Sequence, residues 1–362
     1  MSGTGGYLQC ASCSAQYSSQ DARWHCDCGG YLDYLLPTGQ DAWNTTADAA
    51  GMWRYMPMLP LKQVPVSLGE PLTPVVSIDW YGHALKVKCE QLFPTGSFKD
   101  RGAAVMLAKA RELGITEVVE DSSGNAGAAV AAYGAANGMH CHIYVPASTT
   151  ATKKRQITQY GATLHAVPGS REAAARKAFE AASHAWFASH CWSPWFVQGT
   201  QTFAFELYEQ LGNTAPDIVV LPVGNGTLLL GAWLGFSRLA ALGLIKQLPR
   251  IIGVQAASCA PLYHAFHHST MPAPQASAAQ GICVATPLRS QQILLAIRAS
   301  CGTIVTVEEQ QIVAAHRQLA QRGIAVEPTS AVVFAALAHH RIHVKSNQIV
   351  VTVFTGHGLK SQ

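Results

Sequence analysis

The sequence predicts a two-domain α/β fold, with mainly parallel sheets covered by helices on both faces and a small cysteine-bearing segment in front. Three observations carry that prediction. Short β-branched runs alternate with alanine-rich helical patterns, Gly-rich turns stand where several of those runs end, and 49% of the 362 residues are hydrophobic while only 13% are charged. Strands buried on both faces read as continuous apolar runs, and their alternation with helices marks parallel βαβ units. A chain of this length and composition buries a large core and is globular rather than disordered.

In chain order, Pro57, Pro60, Pro65, Pro71 and Pro74 mark a turn-rich stretch that reads as a linker plus an entry strand. The run Glu117-Val118-Val119-Glu120 then precedes a helix from Asn125, and His142-Ile143-Tyr144-Val145 precedes a helix from Thr152. Further strands are expected at Ile218 to Leu221, Ile251 to Val254 and Ile349 to Val353. There is no internal repeat. The expected division is a ribbon-like segment over 1–40, a larger discontinuous domain over 41–85 and 195–362, and a smaller α/β domain over 86–194.

A formal net charge of +4, with Lys and Arg scattered, gives no footprint for nucleic acid or a polybasic membrane contact. No apolar stretch reaches the roughly 20 residues needed to span a bilayer, and the start from Met1 to Gly6 has no signal-peptide character. A cytoplasmic protein is expected, working on a small anion. In a reducing compartment the ten cysteines suit metal ligation and buried thiols better than disulfides. Cys89, Cys141, Cys191, Cys259, Cys283 and Cys301 read as small core residues.

Three turns end such strands: Ser122-Ser123-Gly124-Asn125-Ala126-Gly127, Val223-Gly224-Asn225-Gly226-Thr227 and Thr355-Gly356-His357-Gly358. Ligands of open α/β sheets bind at the carboxyl ends of strands, so these turns are candidates for one crevice. Acid-free stretches support an anionic ligand: none occurs between Asp121 and Glu172, or between Asp217 and Glu308. The glycines of the second turn let backbone N–H groups approach a phosphate at a helix start. A lone phosphate cup is better supported there than a dinucleotide site, because Gly231 is out of register for a third glycine and no acid follows until Glu308; a plain tight turn stays open.

Pro94-Thr95-Gly96-Ser97-Phe98-Lys99-Asp100-Arg101-Gly102 places a lysine beside an aromatic residue after a Gly-Ser turn. A lysine that attacks a carbonyl must be neutral part of the time, and apolar neighbours lower its pKa. This stretch resembles the cofactor-lysine signature of threonine synthases, Asn-Pro-Thr-Gly-Ser-Phe-Lys-Asp-Arg-Gly, with Phe93 in place of the leading asparagine. Ser123-Gly124-Asn125, Pro222-Val223-Gly224-Asn225 and Thr355-Gly356-His357-Gly358-Leu359-Lys360 are similar to that family in order and spacing. The resemblance implies the fold of the tryptophan-synthase-like pyridoxal-phosphate enzymes.

It also implies roles. Lys99 would bind pyridoxal 5'-phosphate covalently and later take the substrate's α-proton. Asn125 would lie against the cofactor ring, while Ser122, Ser123, Gly124 and Ala126 would receive the substrate carboxylate. Gly224, Asn225, Gly226 and Thr227 would hold the cofactor phosphate, and Thr355 would face the pyridine nitrogen. A neutral hydroxyl there favours elimination or replacement over transamination. Glu327-Pro328-Thr329-Ser330 resembles the family's Glu-Pro helix start, which proline at a first turn also explains.

The implied activity is that of a threonine synthase, a lyase that converts O-phospho-L-homoserine and water to L-threonine and phosphate. Two family positions that grip the substrate phosphate differ, Ala126 for a threonine and Phe196 for an arginine in His190-Cys191-Trp192-Ser193-Pro194-Trp195-Phe196. Losing one charge-assisted contact costs about 1.5–3 kcal/mol, roughly ten- to a hundred-fold in affinity. A related ammonia-lyase, dehydratase or β-replacement enzyme on serine, threonine or a diamino acid therefore stays open, as does a catalytically silent cofactor-binding or zinc-ribbon interaction protein. A homodimer is compatible with the resemblance.

Cys10-x2-Cys13 and Cys26-x-Cys28, followed by Gly29-Gly30, have the spacing of a zinc ribbon. A segment of about thirty residues has too little core to fold unaided, so structural zinc would supply the missing stabilisation. His25 reads as a bystander. Arg23 is the only Lys or Arg up to residue 40, which favours a docking or structural role over nucleic-acid binding.

Overall fold

The computed structural model describes residues 5–37, 39, 41–46, 48–63 and 65–361. Contacts divide the chain into two units, Met1–Pro71 with Lys99–Thr202, and Leu72–Phe98 with Phe203–Gln362.

In the first unit, Glu117–Glu120, His140–Pro146, Thr163–Val167 and Trp186–Phe187 form a four-stranded sheet in which every pair is parallel. Glu117–Glu120 is central. The chain winds outward from it through His140–Pro146 to Thr163–Val167, then returns to place Trp186–Phe187 on its other side. Such a reversal opens a crevice beyond the carboxyl ends of the two strands, here between residues 121–125 and 188–193. The helix Asn125–Ala136 follows directly, and its run of Ala, Val and Tyr is buried on all sides from Ala126 to Gly134. A helix apolar all round belongs inside a core.

The same unit carries a three-stranded antiparallel sheet of Gln16–Ser18, Tyr7–Cys10 and Leu32–Leu35. Its buried side chains are few, Leu8 and Leu32 chief among them.

The second unit holds a six-stranded sheet ordered Thr303–Val307, Arg250–Ala256, Ile218–Pro222, Val350–Val353, His83–Lys88 and Val75–Trp80. All pairs are parallel except the last. Ile218–Pro222 is buried at every position, as a strand covered on both faces must be. The winding reverses again, between Ile218–Pro222 and Val350–Val353, so the turns after these two strands share a second crevice. Lys88 and Glu206, both buried, pair at 2.6 Å, and the ammonium also donates to the Thr73 carbonyl at 2.6 Å and to Gln210 Oε1 at 2.8 Å. That full set of partners is what makes a buried charge tolerable.

Among the described residues no helix is long and apolar enough to cross a membrane. Cys89, Cys141 and Cys259 are buried as expected, but Cys301 is exposed and in the left-handed region, φ 52°. It ends a helical turn rather than filling the core.

Candidate active site

Lys99 is the first residue of the helix Lys99–Glu112. The turn before it depends on Gly96, at φ +80°, and Phe98 then donates its N–H to the Thr355 carbonyl at 3.1 Å. Backbone pairing thus fixes the residue that precedes Lys99. The helix lies tightly on Pro194–Thr200, because a Cβ on Gly102 would stand 2.4 Å from the Phe196 ring and one on Gly199 would stand 2.0 Å from the Arg101 carbonyl oxygen. Two glycines make that approach possible. It brings the Lys99 Nζ to 5.6 Å from the centre of the Phe196 ring.

Lys99 is half-buried, and desolvation of its amine pulls the pKa down to about 8. Cys191 and Glu120 oppose that shift, and Arg171 adds to it. The neutral form is therefore accessible near neutrality, as carbonyl chemistry requires.

Glu120, Asp121 and His190 gather beyond the sheet at this switch point, with ligand-type atoms within 4.8 Å of one another. They are committed to hydrogen bonds. His190 Nδ1 lies 2.8 Å from Glu120 Oε1, its backbone N–H donates to Glu120 Oε2 at 3.3 Å, and Ser189 Oγ donates to Asp121 at 3.3 Å. Burial drives Glu120 well above the usual carboxylate range and His190 well below the usual imidazole range. Sequence reasoning missed this group because its members lie 70 residues apart. Two consecutive acids closing an apolar strand were the available signal.

After Asp121 comes the substrate-loop candidate. Gly124 donates its N–H to Ser122 Oγ at 3.3 Å and precedes the helix that opens at Asn125. Gly127 is needed for close approach, since a Cβ would fall 2.0 Å from the Ser122 carbonyl oxygen. Ala126 is buried, and no acid occupies the first turn. The loop therefore presents a positive helix end free of competing carboxylates.

In the second unit, Gly224-Asn225-Gly226-Thr227 stands at its own switch point, between Ile218–Pro222 and the helix Thr227–Ala241. A Cβ on Gly224 would lie 2.8 Å from Ile282 Cα, and Gly226 sits at φ +72° against Ile293. Thr355 follows the neighbouring strand. Its N–H donates to Ser330 Oγ at 2.9 Å, and the two hydroxyls are 3.0 Å apart. Ser330 belongs to the helix Pro328–Ala338, whose start is tied to this segment by the Glu327 N–H donating to the Gly356 carbonyl at 2.9 Å. Proline at the first turn and an extended Glu327 account for the Glu-Pro pattern. Ser97, two residues before Lys99, keeps a wholly buried hydroxyl with no partner among the described residues. An orphaned hydroxyl, a glycine cradle and a helix start suit a phosphate-bearing cofactor.

Trp192, Trp195 and Phe196 do different jobs. Phe196 faces Lys99. Trp195 packs on Tyr34 at 5.2 Å and Trp192 on Trp24 at 5.5 Å, so both support the segment from the ribbon side.

In the ribbon, the four sulfurs of Cys10, Cys13, Cys26 and Cys28 lie within 4.8 Å of one another, with Cys10 to Cys28 and Cys13 to Cys26 each at 3.5 Å. Tetrahedral Zn–S bonds of about 2.3 Å set sulfurs about 3.8 Å apart, so the donor set fits zinc. Gly30 leaves room for it, since a Cβ would stand 2.8 Å from Cys10 Sγ. His25 bonds the Cys26 carbonyl through Nδ1 at 2.7 Å, which keeps it out of the cluster.

Switch-point crevices, a lysine of lowered pKa and glycine-cradled helix starts define a class of enzyme whose chemistry lies in a carbonyl cofactor. Residues 66–356 match the family model described as pyridoxal-phosphate dependent enzyme. The chain belongs to that family, and within it to the threonine synthase branch. It is 33% identical to the threonine synthase of Methanosarcina acetivorans, over 98% of this chain and 92% of that one. It is 32% identical to the threonine synthase of Methanocaldococcus jannaschii, over 97% and 92%. Among solved structures, a fungal L-serine ammonia-lyase from Rhizomucor miehei matches with a TM-score of 0.70 at 21% identity, over 79% of this chain and 93% of that one. Maize serine racemase matches at 0.69 and 22%, over 79% and 88%. These two likenesses concern the fold alone.

Proposed function

We propose that this lyase of the threonine synthase type converts O-phospho-L-homoserine and water to L-threonine and phosphate, using pyridoxal phosphate held by Lys99. The observation that carries the reading is the Lys99 amine, pulled to about 8 by burial within a stretch that matches the threonine synthase lysine signature. Bound pyridoxal phosphate supplies the electron sink that makes the α-proton removable. Lys99 Nζ holds the cofactor, and once released it takes and returns the proton at the substrate α-carbon. The N–H groups of Ser123, Gly124 and Ala126, with Ser122 bracing their loop, orient the substrate carboxylate, and Asn125 lies against the ring. Gly224, Asn225, Gly226 and Thr227 bind the cofactor phosphate.

Thr355 would face the ring nitrogen of the bound cofactor. Ser330 Oγ already accepts the Thr355 N–H, so its own proton can go to Thr355 Oγ1. The Thr355 hydroxyl proton is then left for an outside acceptor. In the ribbon, zinc is held by Cys10, Cys13, Cys26 and Cys28 as a structural ion. None of the ten cysteines is in a disulfide, in keeping with work in the reducing cytoplasm.

A second reading has its own observation. Phe196, not a cation, lies beneath Lys99. An apolar face there suits elimination from serine, threonine or 2,3-diaminopropionate. Purified protein given cofactor should gain visible absorbance, and Lys99→Ala should abolish it. A screen of homoserine phosphate and these three amino acids, following phosphate and 2-oxo-acid release, separates the readings. Phosphate release with threonine supports the first, 2-oxo acid without phosphate the second, and a protein colourless with cofactor sinks both.

A further inference from the structure

Four thiolates around one divalent ion leave the ribbon site with net negative charge, and Arg23 is the single Lys or Arg up to residue 40 that could balance it. Hydrogen-bond donors aimed at sulfur spread such charge. Each of the two buried cysteines has one. The Ser12 N–H donates to Cys10 Sγ at 3.3 Å, and the Tyr17 hydroxyl lies 3.0 Å from Cys26 Sγ. Cys13 and Cys28 stand exposed.

Tyr17 is held in place for this contact. It sits on the strand Gln16–Ser18 opposite Leu8, and the Arg23 guanidinium covers its ring 4.2 Å from the centroid. Arg23 is tied in turn to Asp27 at 2.5 Å, and the Asp27 N–H donates to the Tyr17 oxygen at 3.5 Å. The other acceptor open to the hydroxyl, Asp27 Oδ2, is farther away at 3.4 Å. Between a thiol and a phenol either group can donate, but a metal-bound thiolate has no proton to give. With an ion in place, the Tyr17 proton goes to Cys26.

We propose that Tyr17 is a positioning residue of the ribbon's metal site, whose hydroxyl donates to Cys26 Sγ and keeps this sulfur on the metal longer than the exposed Cys13 and Cys28. A donated hydrogen bond draws charge from the thiolate, lowers its reactivity toward electrophiles and fixes its orientation. Cys26 stands two residues after Trp24, which packs on Phe187 and Trp192. The protected sulfur is thus close in sequence to the ribbon's aromatic anchor, and loss of metal begins at the exposed pair. The inference rests on the four cysteines holding zinc.

The full chain, loaded with zinc or with cobalt, provides the test. Tyr17→Phe keeps the ring beneath Arg23 and removes only the hydroxyl, and it should speed zinc transfer to excess EDTA about ten-fold or more. In the cobalt form its thiolate-to-metal charge-transfer bands should move to lower energy, because a sulfur without the hydrogen bond is the better electron donor. A general loosening of the ribbon would not produce that shift. Tyr7→Phe, on the strand Tyr7–Cys10, should match the wild type in both measurements. Asp27→Asn weakens the competing acceptor, so its bands should move to higher energy, and this arm decides the question if Tyr17→Phe does not fold. Unchanged release and unmoved bands in Tyr17→Phe, or unmoved bands in Asp27→Asn, overturn the proposal while leaving the zinc site standing. A wild type that takes up neither ion overturns the zinc reading and the role of Tyr17 with it.

Discussion

Trp24, which lies between the two cysteine pairs, meets Trp192 nearly at right angles, with ring centroids 5.5 Å apart. The same indole packs edge-on to Phe187 at 4.9 Å and Phe179 at 5.1 Å. Trp192 follows Cys191 and His190 directly, so the ribbon braces the segment that carries the Glu120 partner. The ribbon itself has little core, and its fold depends on whatever joins its four thiolates.

Removing the metal is therefore expected to reach the active site. A strong chelator should release one zinc per chain and diminish the near-ultraviolet dichroism of the packed tryptophans. Trp24→Ala, with the cysteines intact, should retain the zinc but lower stability by about 1–3 kcal/mol, from lost area and edge-to-face contacts. Zinc content by atomic absorption and urea midpoints check both. An unaltered midpoint in Trp24→Ala would show that the ribbon rides on the surface without bracing anything.

Arg171 makes the next expectation. It opens a helix at the carboxyl end of the parallel sheet, and its charge acts on Lys99, Glu120, Asp121, His190 and Cys191. With Phe196 beneath Lys99, Arg171 is one candidate cation in this unit for attracting a substrate phosphate. Arg171→Gln should raise KM for homoserine phosphate about ten-fold or more, as loss of one charge-assisted contact does, with a smaller change in kcat. Serine, which has no phosphate, should be far less affected. Equal losses for both substrates would assign Arg171 to the fold instead.

Much of the architecture was legible in the sequence because buried parallel strands advertise themselves. Glu117–Glu120 was placed to the residue, while Ile218–Pro222 and Arg250–Ala256 were found slightly short at their ends. The expected helix from Thr152 begins at Ala151, and the last strand at Val350 rather than Ile349. Thr163–Val167 and Thr303–Val307 were missed, since both are only partly buried and lack a continuous apolar run. The glycine turns were readable because tight backbone leaves no other residue type. The Glu120-His190 contact was not. A side-chain pair made by folding has no local pattern, and His190 in sequence is simply a histidine beside a cysteine.

That pair gives the last expectation, in the pH dependence of stability. The folded pKa of His190 is held well below its unfolded value near 6.5, chiefly by burial. A depressed folded value means the group's contribution is complete above the unfolded pKa and is lost as pH falls below it, because the unfolded chain binds the proton first. From pH 6.5 to 5.5 one such histidine removes about 1 kcal/mol. Glu120 has its folded pKa raised, so its own effect in this window has the opposite sign: stability present at low pH and lost as pH rises through the folded value. The net slope of the wild type mixes the two. His190→Asn keeps an amide donor for Glu120 and leaves the other histidines in place, so the difference between wild type and variant reads chiefly the histidine. Urea midpoints of the zinc-loaded proteins at the two pH values should show the wild type losing about 1 kcal/mol more than the variant. Equal losses would mean that His190 is protonated in the folded protein and pairs with Glu120 as an imidazolium.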